Sequence, residues 1–509
     1  MSDSLRREAL AALSGALLVL SFPKFGHPAV AWVALVPLLV ALHGATGLRA
    51  ARLGYVAGAI AALGLLYWTA LVVVQYGGIP LVAGTLIMVA LCLAFALFPL
   101  VFGWSTGRLV ARFGTPGLFG TPFLWVATEL LRVHTFFEFP WCLLGYSQQP
   151  FLPVIQIASV TAVYGVSFLL VLFAALVAMA LVDARLRRVA LGAAAALVAT
   201  TWAIGSWTLA QPIAETGRVT VGLVQGGIRQ EDKWVPGNAW SNVLRHVQLT
   251  EQAAARGARF VVWPESAVPF LYDEQPALAS LLQELVRRHG IHLYFGNDDR
   301  ETGPGGEAPI YVGAKLLDPE GRLTARYRKI HLVPFGEYVP LKAVFTLGGR
   351  VAAKLVREVA DFSPGKEAVT GGVAGHRMGG YICYEAIFPG LVRRFTSQGA
   401  ELLVNITNDA WYGRTSAPYQ HLAMAAFRAV ENRRYVVRAA NTGVTAVVDP
   451  RGRVLEATRL FDETLLVREV PFVAETSFYA RHGDLFARAC AAIALALVAA
   501  SFGWPRSRR

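Results

Sequence analysis

Gly379-Gly-Tyr-Ile-Cys383-Tyr-Glu385 is a short run of strand-favouring residues that ends on a cysteine, with a carboxylate two positions later. Such a run predicts a buried strand that presents a nucleophile at its end. Upstream lie two partners, Glu265 in Val261-Val-Trp-Pro-Glu-Ser266 and Lys329 in Tyr327-Arg-Lys-Ile-His-Leu-Val-Pro-Phe-Gly-Glu337. A thiol is largely protonated at neutral pH and the thiolate is the reactive form, so a cysteine nucleophile gains from a carboxylate that takes its proton. The tetrahedral intermediate then carries an oxyanion, which a lysine ammonium can neutralise. Taken singly, a strand cysteine can be core, a glutamate after Trp-Pro can cap a helix, and a lysine in a basic run can be surface. The order Glu, Lys, Cys, each closing a strand-like segment, is what points to a site.

Around these residues the chain reads as a layered α/β domain. From 218 to about 475, strand-like runs (Val219–Gln225, Phe260–Trp263, His292–Phe295, Tyr311–Leu317, Met378–Cys383, Leu402–Ile406, Val444–Asp449) alternate with helical stretches at 238–256, 276–289 and 417–434. Some 260 residues suffice for one substantial core. Gly303-Pro-Gly-Gly306 and Asp318-Pro-Glu-Gly321 read as turns. The stretch 341–357 is apolar with interspersed basic residues (Lys342, Arg350, Lys354, Arg357). It reads either as a packed helix or as a mobile arm that touches a bilayer surface.

The rest of the chain has another solvent. Of 509 residues, 55% are hydrophobic and 16% charged, with a mean hydropathy of +0.46; soluble domains carry about 25% charged residues. The deficit is concentrated before residue 210 and in the last ~25 residues. Spans of about 20 apolar residues are expected at 8–24, 28–45, 55–75, 82–107, 117–133, 158–182, 188–208 and 484–504. Domains of 1–212, 213–478 and 479–509 follow. The net charge is +13, and arginines cluster beside spans (Arg6 and Arg7; Arg49 and Arg52; Arg108 and Arg112; Arg185, Arg187 and Arg188; Arg506, Arg508 and Arg509). That pattern is a topology signal, not a nucleic-acid surface. It predicts both termini in the cytoplasm and the α/β segment on the opposite side. The spans hold few ionisable residues, Glu129 foremost, which argues against a conduction path. Four cysteines show neither a disulfide framework nor zinc spacing. The loop at 134–157, with His134-Thr-Phe-Phe-Glu-Phe-Pro-Trp141 and Gly145-Tyr-Ser-Gln-Gln149, reads either as an interfacial aromatic belt or as the wall of a cleft.

The Glu-Lys-Cys order resembles the triad of the nitrilase (carbon–nitrogen hydrolase) superfamily. The whole chain resembles the apolipoprotein N-acyltransferase family, a membrane-embedded branch of it. The likeness rests on Ser21-Phe-Pro-Lys-Phe-Gly26, Ala31-Trp-Val-Ala-Leu-Val-Pro37, Phe139-Pro-Trp141 with Gly145-Tyr-Ser-Gln148, Gln225-Gly-Gly-Ile228 with Lys233-Trp234, Trp263-Pro-Glu-Ser266, Lys329 through Phe335-Gly-Glu-Tyr-Val-Pro340, Cys383-Tyr-Glu385 and Asn405-Ile-Thr-Asn-Asp-Ala-Trp-Tyr-Gly413. It implies an α-β-β-α layered catalytic domain inserted among about eight spans. It implies Glu265 as base, Lys329 as oxyanion stabiliser and Cys383 as nucleophile. Glu337 would hold the lysine, Tyr384 and Glu385 flank the nucleophile, and Trp234, Trp411 and Asn408 support or bind substrate. Gly226-Gly227 departs from the family's Gly-Asn after the glutamine, which leaves the contact at Gly227 open.

The resemblance also implies a two-step reaction without metal or cofactor, in a bacterial inner membrane with the catalytic domain periplasmic. Cys383 would take an acyl chain from a phospholipid, with phosphatidylethanolamine the expected donor. It would pass that chain to the α-amine of the S-diacylglyceryl cysteine of an apolipoprotein. A membrane-tethered amidase acting on a small amide is the competing reading of the triad; it gives no reason for the spans.

Overall fold

In the computed structural model, the described residues are 2–135, 138–301, 308–339 and 361–502. The chain divides into two compact units, Met1–Gln211 with Thr415–Phe427 and His482–Arg509, and Pro212–Arg414 with Arg428–Arg481.

The first unit is helical. Among the described residues four helices are long and apolar enough to cross a membrane: Gly47–Leu66, Leu81–Phe113, Val163–Val182 and Arg187–Ala210. Shorter apolar helices cover Val30–Leu42, Leu152–Thr161 and Leu485–Ala500, and Asp3–Val19 opens the chain. The span expected from 55 starts eight residues earlier, so Arg49 and Arg52 lie on the helix instead of before it. They pair with Asp3 at 2.9 Å and Glu8 at 3.1 Å, which gives their charges partners. The expected span 158–182 breaks at Ala162, whose φ of 54° ends one helix before Val163 starts the next.

The aromatic loop does not form a belt. Trp141 is 1% exposed, stacks on Phe139 at 5.7 Å and donates its indole N–H to Gln420 at 2.8 Å. Gln148 accepts from the Trp32 indole and donates to the Pro28 carbonyl. Glu129 accepts from Leu144 N–H and from the Trp125 indole. Buried polar groups of the loop thus find partners on neighbouring segments. Phe136 and Phe137 lie outside the described residues.

The second unit carries the strands β1 (Gly217–Gln225), β2 (Phe260–Val262), β3 (His292–Gly296), β4 (Asp299–Arg300), β5 (Ile310–Tyr311), β6 (Gly313–Leu317), β7 (Leu323–Arg328), β8 (Thr370–Val373), β9 (His376–Ile382), β10 (Leu402–Thr407), β11 (Tyr435–Ala440), β12 (Ala446–Val448), β13 (Val454–Ala457) and β14 (Thr464–Phe472). They form two six-stranded sheets, β14-β1-β2-β3-β6-β7 and β13-β12-β11-β10-β9-β8, with β4 and β5 as a separate pair. In each sheet three neighbouring strands run parallel, β1-β2-β3 and β9-β10-β11, and the chain then turns back antiparallel. Parallel strands are buried on both faces and read as continuous apolar runs, as in Phe260-Val-Val262 and Leu402-Leu-Val404.

Helices Ala239–Ala255 and Pro276–His289 cover the first sheet; Val243, Val247, Leu278, Leu282 and Leu285 pack there against Val261, Trp263, Leu293 and Phe295. Helix Pro389–Ser397 covers the second sheet, with Phe395 against β9 at Gly379. The two sheets meet closely. A Cβ on Gly380 of β9 would lie 2.1 Å from the Tyr294 hydroxyl of β3, so only glycine fits there. The unit is thus an α-β-β-α layered domain, the architecture that the resemblance implies. The turn expected at Asp318–Gly321 is present, with Gly321 N–H donating to the Asp318 carbonyl. Residues 303–306 and 341–357, with the turn and the arm expected there, lie outside the described residues.

Candidate active site

The carboxyl ends of parallel strands in an open α/β sheet are where side chains converge on a ligand. Here Glu265 follows β2, Cys383 follows β9 and Asn408 follows β10, while Lys329 follows the antiparallel β7. Sequence reading placed Cys383 inside its strand; it lies one residue beyond, opening the turn Cys383–Ile387. Its φ is +49°, a left-handed conformation that costs a non-glycine residue about 1–2 kcal/mol. Ser266, next to Glu265, is also left-handed at +47°. Both chemistry-bearing segments therefore leave their sheets at sharp, strained corners, a feature that clusters at functional sites.

Lys329 Nζ donates to Glu265 Oε1 at 3.1 Å and to Glu337 Oε1 at 2.6 Å, and its side chain has no solvent exposure. Burial alone would lower its pKa, but the charges of Glu265 and Glu337 override that and hold it well above the ordinary value. Lys329 is thus a fixed cation. Burial raises the Glu337 pKa, with Lys329 pulling the other way. Glu337 is anchored by Val333 N–H on Oε2 at 2.8 Å. Burial also raises the Cys383 thiol far above the ordinary range, with the Glu265 charge adding to it and Lys329 opposing. The resting nucleophile is a thiol, and a base must take its proton.

Glu265 is held on three sides. Oε1 faces Lys329, Oε2 accepts Asn408 N–H at 2.9 Å, and its main-chain carbonyl accepts from Lys233 Nζ at 3.0 Å. The Asn408 side chain is held in turn by Gln230 and Asn441. Asn441 also receives Gly227 N–H on its main-chain carbonyl and Ile228 N–H on its side chain. Gly227 has a φ of +61°, so this corner needs a residue that tolerates the left-handed region, and the contact left open in the sequence is made through the backbone.

Glu385 does not face the thiol. Its two oxygens accept Ile382 N–H at 2.7 Å, Ile330 N–H at 2.6 Å, His331 N–H at 3.2 Å and the Tyr327 hydroxyl at 2.7 Å. It ties the strand before Cys383 to the segment carrying Lys329. Burial pushes its pKa up to about 7 in spite of these donors. Tyr384 is buried edge-on to Phe388 at 5.2 Å. Trp234 and Trp411 are 50% and 36% exposed and stand at the surface.

The cluster therefore brings Glu265, Lys329, Glu337, Cys383 and Asn408 together, with Glu385 one layer behind. Sequence reading gave no role to Lys233, Gln230, Asn441 or Tyr327. Lys233 and Tyr327 stood in quoted motifs, Lys233-Trp234 and the run from Tyr327 to Glu337; Gln230 and Asn441 carried no signal. Chemically, the site offers a thiol, a carboxylate to deprotonate it, a permanent cation beside both, and a second carboxylate to hold that cation. That is the equipment for acyl transfer through a covalent thioester.

Comparison with known proteins finds two family matches along the chain. Residues 220–478 match the carbon-nitrogen hydrolase family and residues 14–176 match the apolipoprotein N-acyltransferase N-terminal domain. An apolipoprotein N-acyltransferase of Geobacter metallireducens is 41% identical over 98% of this chain and 96% of its own. Others of that name, from Nitrosomonas europaea and Methylococcus capsulatus, are each 36% identical; they cover 86% and 93% of this chain and are themselves covered over 84% and 92%. A solved amidase from Nesterenkonia sp. is 22% identical, covers 55% of this chain and 98% of its own, and gives a TM-score of 0.39.

Proposed function

The chain belongs to the apolipoprotein N-acyltransferase family, and from that premise we propose a reaction in which Cys383 carries an acyl chain from a phospholipid to the α-amine of the S-diacylglyceryl cysteine of an apolipoprotein. The donor is phosphatidylethanolamine. Residues 1–212 are the transmembrane domain, 213–478 the periplasmic catalytic domain, and 479–509 a final membrane helix with a cytoplasmic tail. Both termini face the cytoplasm of a bacterium's inner membrane; the arginine clusters support that orientation.

The observation that carries the chemistry is the contact of Lys329 with both Glu265 and Glu337 beside a cysteine whose thiol is held protonated. Glu265 takes the Cys383 proton as sulfur attacks the donor's ester carbonyl, and the oxyanion forms beside Lys329. The C–O bond breaks and the leaving alkoxide receives the proton from Glu265, releasing a lysophospholipid. In the second half the acceptor amine attacks the thioester carbonyl and Glu265 takes its proton; the C–S bond breaks as the amide forms, and the proton passes from Glu265 to sulfur, regenerating the Cys383 thiol. Free α-amines titrate near 8, so a base is useful in both halves. An amide is more stable than a thioester, so the second half runs forward. Water must be kept from the thioester, which a lipid-facing site does by exclusion.

Purified enzyme incubated with phosphatidylethanolamine is expected to gain the mass of one acyl chain on Cys383. Cys383→Ala is expected to abolish that adduct, while replacement of Cys92, Cys142 and Cys490 leaves it. Adduct formation on Cys383→Ala would refute the assignment, and turnover of a small amide without any lipid adduct would favour a membrane-tethered amidase.

A further inference from the structure

Lys233 is a second buried lysine at this site, 3% exposed. It ends the short helix Gln230–Lys233. A lysine ammonium has three hydrogens to donate; here one goes to the main-chain carbonyl of Glu265 at 3.0 Å. One turn earlier on the same helix, Gln230 holds the side chain of Asn408 at 2.8 Å, and Asn408 N–H in turn holds Glu265 Oε2. The helix therefore grips the base twice, once by its main chain and once through its carboxylate.

The site is also short of positive charge. Glu265, Glu337 and Asp298 offer three carboxylates, and the Asp298 Oδ1 is buried without a hydrogen-bond partner among the described residues. Lys329 answers Glu265 and Glu337, and Lys315, which also pairs with Asp273 and Asp299, lies toward Asp298; Lys233 adds the further cation next to Glu265 and Asp298. Buried carboxylates without balancing cations are costly, and the cost falls on whichever step adds negative charge, here the formation of thiolate and oxyanion.

We propose that Lys233 is a positioning residue for Glu265: its ammonium fixes the base's main chain toward Lys329 and Cys383 and supplies a further positive charge that lets the acyl-enzyme form. The inference rests on the acyl-transfer reading above and adds to it a residue outside the Glu-Lys-Cys set.

The groups that face Lys233 are Glu265, Asp298, Cys383 and His246, with the Trp234 ring 5.8 Å from Nζ. Burial pushes the Lys233 pKa down to about 8 in spite of the neighbouring carboxylates. His246 is pushed down to about 4 by burial and stays neutral above that. Asp298 is pushed up to about 7 by burial and acts on the acid side. Cys383 titrates far above this range. Loss of the Lys233 charge therefore falls on the alkaline limb, as pH rises through about 8.

The test uses full-length enzyme in detergent with added phosphatidylethanolamine, following acyl-Cys383 by intact mass over a pH series, with thermal unfolding as a check on folding. In wild type the rate is expected to fall as pH rises past about 8. Lys233→Met is expected to slow acylation by roughly 10²-fold, the scale of a misplaced catalytic group, with little change in KM. Lys233→Arg, which keeps its charge at all these pH values, is expected to recover part of the rate and to carry it to higher pH. Should Lys233→Met fail to fold, the Lys233→Arg profile alone decides. A folded Lys233→Met that acylates near the wild-type rate, or a Lys233→Arg profile with the wild-type alkaline fall, overturns the proposal. If wild type itself forms no adduct, it is the acyl-transfer reading that fails.

Discussion

The ammonium of Lys329 is 2.6 Å from Glu337 Oε1, a shorter contact than its 3.1 Å to Glu265. The tighter partner is the carboxylate assigned no proton transfer. Glu337 thereby shares the lysine's charge with Glu265 and fixes the ammonium between the two carboxylates.

Glu337→Gln should therefore impair the reaction in two ways: it loosens Lys329 and lets that lysine pair more fully with Glu265. Loss of one oxyanion donor costs roughly 10²–10³ in rate, so acyl-enzyme formation is expected to fall by up to that factor with the protein folded. Single-turnover measurement with phospholipid gives the number. A rate within threefold of wild type, about 0.7 kcal/mol, would deny Glu337 this role.

Burial raises the Cys383 pKa and the nearby Glu265 charge raises it further. A raised thiol pKa means that the thiolate population keeps climbing with pH beyond the range where an ordinary thiol, near 8.5, levels off. Methylthiolation of Cys383 by methyl methanethiosulfonate is expected to accelerate through pH 9 and above in wild type. Glu265→Gln removes the charge that raises the thiol, so the climb with pH is expected to begin at lower pH in that variant. A plateau below pH 8 would mean that the site stores a thiolate.

Cys383, Glu265 and Lys329 were legible because each ends a strand-like run, and strands deliver side chains to a shared edge. What was not legible is how they are held. Glu265 is fixed by Asn408 N–H, and Glu385 by three backbone N–H groups. Main-chain donors exist at every residue except proline and carry no sequence signature. Strands β8 and β14 escaped for a related reason. Thr370-Gly-Gly-Val373 has too little side chain to show a period, and Thr464–Phe472 does not alternate cleanly because its burial changes along its length. Composition left the loop at Phe139–Gln148 open between two readings, since aromatic residues fit an interface as well as an interior. The choice is made by partners far along the chain, such as Gln420 for Trp141.

Glu385 accepts four donors with two oxygens. Glutamine in its place turns one acceptor into an N–H₂ that must face a backbone N–H, leaving a buried donor unsatisfied at about 1–3 kcal/mol. Glu385→Gln is expected to lower the thermal midpoint and to slow acylation together, because the strand before Cys383 and the segment of Lys329 lose their common tie. Tyr327→Phe removes one neutral donor and should cost about 1 kcal/mol. Equal stability of Glu385→Gln and wild type would show that the four contacts are dispensable.

Gly380 and Tyr294 meet where the two sheets approach closely, and among the described residues Tyr294 has no hydrogen-bond partner for its buried hydroxyl. A buried hydroxyl without a partner is a liability, so Tyr294→Phe is expected to be neutral or stabilising. Gly380→Ala places a methyl 2.1 Å from that hydroxyl and 2.5 Å from the ring carbon bearing it. Overpacking of this kind costs about 1–3 kcal/mol, and the strain reaches Cys383, three residues on. The double variant removes the nearer clash but keeps the contact with the ring, so Tyr294→Phe should restore part of the stability and part of the acylation rate lost in Gly380→Ala. Chemical denaturation of the four proteins closes the cycle. If the two changes simply add, the sheets do not meet at this pair, and the close approach that sets the height of Cys383 above β9 must be sought elsewhere.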